Sequence, residues 1–221
     1  KQQKQNQLQI YGYGQPNFDK AAYSTENQVV LLEDNQTIPV GKFKIYEIPP
    51  LPDAFLQTKG NRKISITLAF DPPTRHTRGD SYLGLTMEFR LFRNIDKETL
   101  RNAFLKANEE EKTENVTEMK MEELKKQYGS NIEVNLFPNA TLRKKGTLQK
   151  GTVEINGSNW RYNKENLYIL VSCNRSWARE DEVSNQRYAL VASVTHSDAQ
   201  VDLYNHIKLQ TRISQRITIR K

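Results

Sequence analysis

The sequence predicts an all-β fold, an antiparallel β-sandwich, and three observations carry that expectation. Two segments alternate apolar and polar side chains with a period of two. Ile64, Ile66, Leu68 and Phe70 fall on one face with Lys63, Ser65 and Thr67 on the other; Leu85, Met87, Phe89 and Leu91 fall opposite Thr86, Glu88 and Arg90. Two further segments, Leu167–Cys173 and Tyr188–Val194, are nearly continuous apolar runs that suit central strands covered on both faces. Short runs separated by turn residues, with no alternation of strands and helices, argue for stacked sheets.

The elements follow in order. Residues 1–10 read as a polar, Gln-rich linker, and Tyr11-Gly-Tyr-Gly-Gln-Pro-Asn17 as a turn. Asn17 is placed to cap one or two helical turns over Phe18–Tyr23. Val29–Leu32 is a short apolar strand. Lys42–Ile48 alternates imperfectly, with Phe43 and Ile45 on one face and Tyr46 and Ile48 on the other. Pro49-Pro-Leu-Pro52 ends it, because proline offers no N–H to a ladder. After Arg62–Phe70, Asp71-Pro-Pro-Thr74 makes a turn, and Leu85–Phe92 follows. Later strands are expected at Asn131–Leu136, within Leu142–Ile155, at Leu167–Cys173, at Tyr188–His196 and at Ile207–Ile213.

Residues 94–130 differ from the rest. Leu100, Ala103, Phe104 and Ala107 recur at helical spacing, Glu109-Glu-Glu-Lys-Thr-Glu-Asn115 is a charged run, and Met119–Tyr128 suits a second helix. The expectation is a charged, partly helical insertion between two strands, mobile and solvated. No repeat of fixed period is evident. The domain division is therefore a linker and closing segment over 1–24 and a sandwich over 25–221.

Composition bounds the chemistry. The net charge of +7 comes from 33 basic residues interspersed with 26 carboxylates, which dilutes any single-sign field. One cysteine, Cys173, allows no disulfide within the chain and no cysteine-based zinc site, and it fits a reducing compartment. Sequons occur at Asn35, Asn115, Asn139, Asn156 and Asn174, as chance provides in a polar, Asn-rich chain. No run approaches the roughly 20 apolar residues of a membrane span, so no membrane partner is expected.

Catalytic and cofactor motifs are missing from the sequence. The histidines His76, His196 and His206 form no close pair of metal-ligand spacing. There is no Gly-rich phosphate loop and no G-x-S-x-G elbow, so the expectation is no cofactor, no metal and no catalytic residue in this chain. Cys173, inside the most apolar run, reads as a small buried hydrophobe. The most unusual segment is Asp71-Pro-Pro-Thr-Arg-His-Thr-Arg-Gly-Asp-Ser-Tyr82. It places Arg75, His76, Arg78 and Asp80 on one loop between well-patterned strands, where functional residues often sit. Those groups suit an acidic partner surface or a phosphate. The alternative is a structural loop in which Asp80 and the arginines satisfy the turn backbone and each other.

Several segments resemble a known family. Gly12-Tyr-Gly-Gln-Pro-Asn-Phe-Asp-Lys-Ala21 is similar to the closing segment of subtilisin-like catalytic domains. Ile38-Pro-Val-Gly-Lys-Phe-Lys-Ile-Tyr-Glu-Ile-Pro49 and the stretch from Ile64 to Asp80 resemble the C-terminal extension of a group of bacterial subtilases. Gln186–Val191 and Ser197–Tyr204 look like its later strands. The serine and histidine motifs of subtilases, G-T-S-M-A/S and H-G-T, do not occur here, and Thr-Arg-Gly follows His76. No catalytic residue carries over. The resemblance implies a jelly-roll accessory domain like that of the proprotein convertases, packed on its own upstream catalytic domain. It also implies an AAA-type ATPase as a further partner and, with it, a bacterial cytoplasmic location.

The leading expectation is a non-catalytic accessory domain of a subtilisin-like serine endopeptidase, stabilising the protease or controlling access to it. Two alternatives stand beside it. A nucleic-acid-binding module would use the net charge and Arg143-Lys-Lys145, but the basic residues are scattered rather than striped. A carbohydrate-binding jelly roll would use Trp160, Tyr162 and Trp177 as stacking platforms.

Overall fold

The alternating segments pair across the molecule from the outside inwards. The computed structural model describes residues 27–73, 83–110, 116–137, 146–155, 167–175, 184–198, 200–207 and 218–219. Its strands are β1 (Gln28–Pro39), β2 (Phe43–Ile48), β3 (Arg62–Phe70), β4 (Leu85–Phe92), β5 (Glu133–Val134), β6 (Leu148–Glu154), β7 (Leu167–Arg175), β8 (Asn185–His196) and β9 (Thr218–Ile219). The first strand pairs antiparallel with the eighth, the second with the seventh, the third with the sixth and the fourth with the fifth. Two sheets result, ordered β6-β3-β8-β1-β9 and β2-β7-β4-β5. This nesting of a long hairpin into two sheets is the jelly roll, so the expected antiparallel sandwich is the fold observed.

The core lies between the sheets. Ile64, Ile66, Leu68 and Phe70 of β3 meet Leu85, Met87, Phe89 and Leu91 of β4, as their alternation requires. The strand β1 runs well past the Val29–Leu32 expected, reaching Pro39. A register shift between Glu33 and Gln36, with Asn35 at φ 49°, lets it continue past a bulge.

The insertion is a packed element, which corrects the expectation of a solvated one. Helices α2 (Lys97–Glu110) and α3 (Val116–Tyr128) follow a short α1 at Asp53–Gln57. Asp96 caps α2 by accepting the Thr99 N–H at 2.8 Å. Gly129, at φ 96°, ends α3 and donates its N–H to the Lys125 carbonyl. Leu100 and Phe104 of α2 join Met121 and Leu124 of α3 over Phe92, Tyr168 and Leu170. Phe43 and Phe92 each set a ring against Phe104, at centroid distances of 5.8 and 6.2 Å. Each fully buried side chain of this size contributes about 1.5–3 kcal/mol, which is ample to hold a two-helix cover.

That cover explains the imperfect alternation of β2. Tyr46 and Ile48 face the core between the sheets, while Phe43 and Ile45 face the helices. In β7, Leu167, Ile169, Val171 and Cys173 face the core and Tyr168 and Leu170 the helices, so this apolar run is covered on both faces as expected. The strand β8 departs from that expectation. Its inward residues Tyr188, Leu190, Ala192 and Val194 are buried, but Ala189 and Val191 remain partly exposed on the outer face. Of the segment Asn131–Leu136 only Glu133–Val134 is strand, and 203–207, which includes the start of the strand expected at Ile207–Ile213, forms a helical turn. The closing segment over 1–24 lies outside the described residues.

Candidate functional site

The loop singled out by sequence leaves β3 and enters β4, bridging the two sheets at one end of the sandwich. Arg75, His76, Arg78 and Asp80 themselves lie outside the described residues; the frame that holds them does not. Gly84 donates its N–H to the Pro73 carbonyl at 2.7 Å, which closes the neck of the loop. Just before it, Asp71 takes Nη2 of Arg187 on one carboxylate oxygen at 3.0 Å and Nε2 of Gln186 on the other at 3.3 Å. Gln186 is 3% exposed and also donates to the Arg187 carbonyl. Arg187 and Asp71 are about two-thirds exposed, at 69% and 66%, so their ion pair orients the neck and adds little stability.

Sequence reasoning did not reach Asp71, Gln186 and Arg187 as a group. A signal was present: Gln186 occupies an inward position of a strand whose next inward residues, Tyr188, Leu190, Ala192 and Val194, are hydrophobic, and buried amides need partners.

Other segments gather at this end. Pro39 pairs with Asn185 and Phe43 with Ser172, and the chain between β7 and β8 begins beside Leu85, which pairs with Arg175. Trp177 falls in that connection, and Arg143-Lys-Lys145 in the chain between β5 and β6; both lie outside the described residues. Trp160 and Tyr162 are also outside them. They belong to the connection that leaves after Ile155 and re-enters at Leu167, both anchored at the opposite end of the sandwich.

At that opposite end, His196 is 2% exposed and fully engaged. Its Nδ1 accepts the Asp198 N–H at 2.9 Å, which leaves Nε2 to donate to the Thr58 carbonyl at 3.3 Å. Phe55 sets its ring edge against the imidazole at 5.7 Å. Gly60, at φ 149°, passes so close that a Cβ there would meet His196 Cε1 at 2.8 Å. Ser197 accepts the Asn61 N–H on its hydroxyl at 2.8 Å. His206 sets Nε2 3.2 Å from the Pro50 carbonyl. These histidines and this serine fasten connections to the sheet.

Inside the core, Tyr46 and Tyr188 share a hydrogen bond between their hydroxyls. Burial raises both phenols above the ordinary value; for Tyr188 the bond to Tyr46 adds to the effect. They are therefore neutral at physiological pH. Cys173 is fully buried. Among the described residues, no three His, Cys, Asp or Glu side chains are grouped to hold a metal ion, and no helix is long and apolar enough to cross a membrane.

The fold and the framed loop define a two-sheet jelly roll, nine-stranded over the described residues, with a helical cover, a class that hosts many functions. No family model matches the chain. It is 28% identical over 203 residues to an uncharacterized protein, y4bN, of Sinorhizobium fredii (strain NBRC 101917 / NGR234). The match takes in 92% of this chain but only 43% of that relative, so the chain spans less than half of the protein it resembles.

Proposed function

We propose that this chain is a non-catalytic accessory domain of a longer polypeptide, a subtilisin-like serine endopeptidase whose catalytic residues lie upstream. The observation that carries the reading is the unequal coverage just described: a region equivalent to nearly all of this chain makes up 43% of a longer relative. The segments similar to subtilase C-terminal extensions supply the class of the parent, and the jelly roll agrees with the fold which that resemblance implies. In this reading the domain stabilises the catalytic domain through an intramolecular interface and limits what reaches the cleft. The Arg75–Asp80 loop, held at its neck by Asp71, Gln186 and Arg187, is the recognition element, with an acidic surface as its partner. An AAA-type ATPase and a cytoplasmic setting belong to the same proposal.

The test compares the purified 221-residue chain with the natural gene product that contains it, on unstructured protein substrates. The expected result is hydrolysis by the gene product, abolished by a serine-directed inhibitor, and none by the chain alone. A gene product that hydrolyses no peptide bond would remove the protease from the proposal.

A further inference from the structure

We infer that the outer face of the five-stranded sheet is the surface that seats this domain against the other folded body of its parent polypeptide. This rests on the reading of the chain as one domain of a longer protein. The helices α2 and α3 close the outer face of the four-stranded sheet. Among the described residues no helix packs over the outer face of the five-stranded sheet, and the strand registers lay that face out in rows. One row runs Thr152, Ser65, Ser193, Val30; the next runs Lys150, Thr67, Val191, Leu32. Ala69 and Ala189 continue the pattern towards Phe70.

The chemistry of these rows suits protein burial. Apart from Leu32 and Lys150 at the two ends of the second row, the side chains are short or β-branched, so a partner can approach the backbone closely without freezing long rotamers. Several polar groups are already partnered within the face: the hydroxyls of Ser65 and Thr152 lie 3.1 Å apart, and Thr195 donates to the Lys63 carbonyl at 3.5 Å. Removing such groups from water costs little. Charges stand towards the margins, with Lys63 beside Glu154 on an end row and Lys150 on the edge strand. That is the arrangement of an apolar interface centre with a polar rim. The rows hold no aromatic side chain on which a sugar could stack and no stripe of cations for a phosphate backbone.

Two further facts say this face is built to be covered. Val30, which alternation places on it, is only 2% exposed, so covering has begun at the β1 side within the chain itself. The strand β8 carries the near-continuous apolar sequence of a strand buried on both sides, yet Ala189 and Val191 are partly exposed in the chain alone. The relative's additional length supplies an occupant of the right kind, a second body in the same polypeptide.

Single-cysteine labelling tests the inference. Cys173 is fully buried and silent, so Ser193→Cys or Ala189→Cys reports on the outer face, and Gln127→Cys on α3 serves as the control. A maleimide is applied to the 221-residue chain and to the natural gene product, and labelling is followed on the relevant peptide by mass. The face positions should react on the order of tenfold more slowly in the gene product, equivalent to about 1.4 kcal/mol of protection, while Gln127→Cys reacts equally in both. Equal rates at the face positions would overturn the inference, as would a natural gene product no longer than this chain. Peptidase activity separates this inference from the one beneath it: protection without hydrolysis keeps the interface and removes the protease, and hydrolysis without protection does the reverse.

Discussion

The hydroxyl of Tyr46 in β2 meets the hydroxyl of Tyr188 in β8, so one buried hydrogen bond ties the two sheets of the sandwich together. Replacing either tyrosine by phenylalanine leaves the other hydroxyl buried without that partner, at a cost of about 1–3 kcal/mol. Replacing both removes the orphan. The double variant should therefore be more stable than the sum of the two single losses predicts, as urea unfolding of all four proteins will read directly.

The same pair sets an alkaline limit. Burial holds both phenols above the ordinary tyrosine value of 10.0, so the folded state keeps protons that the unfolded chain releases. Their contribution is complete below pH 10.0 and is lost as pH rises through the folded values. Urea midpoints should begin to fall as pH rises past 10.0, and fall less in the double phenylalanine variant.

The helical cover is fastened by charge as well as by packing. Glu133 takes Nη1 of Arg90 at 2.8 Å on one oxygen and Nζ of Lys125 from α3 at 2.7 Å on the other. Burial pushes this carboxyl up, but the two cations outweigh it and hold it below the ordinary 4.5. A depressed carboxylate stabilises the fold above its unfolded value, and that stability is lost as pH falls through the folded value. Stability should therefore decline below pH 4.5, and Glu133→Gln should flatten that acid limb while costing about 1–3 kcal/mol near neutrality. An acid limb unchanged by the substitution would contradict the assignment.

Gly151 allows the chain after β5 to cross the edge of β6. A Cβ there would lie 2.7 Å from Leu136 Cβ and 3.1 Å from the Phe137 ring, while Thr152 donates its N–H to the Leu136 carbonyl at 2.9 Å. Gly151→Ala should cost about 1–3 kcal/mol through overpacking, despite alanine's better strand propensity. Thermal unfolding measures the loss, and a neutral or stabilising alanine would show that this crossing is loose.

Much of the sandwich was legible because a half-buried strand writes its burial into alternate residues, as Ile64–Phe70 and Leu85–Leu91 do. The helical cover was harder to read. Its long charged stretch suggested solvation, and only the paired burial of Phe43 with Tyr46, and of Tyr168 with Ile169, reveals that β2 and β7 have a second apolar neighbour. The limited exposure of Val191 needs the sheet order, since sequence alone gives β8 the pattern of a strand covered twice. Asp53–Gln57 escaped notice because five residues carry too little periodicity, and tertiary burial of Phe55 holds that turn. At the site, the loop itself was visible, whereas its neck joins Asp71 to Arg187, residues 116 positions apart that only strand pairing brings together.

The most direct test of the central claim is covalent labelling of the natural gene product with a fluorophosphonate, which reacts with an activated serine. The adduct should map to a serine upstream of Lys1, and the 221-residue chain alone should take up no label. An adduct on a serine within this chain would contradict the account.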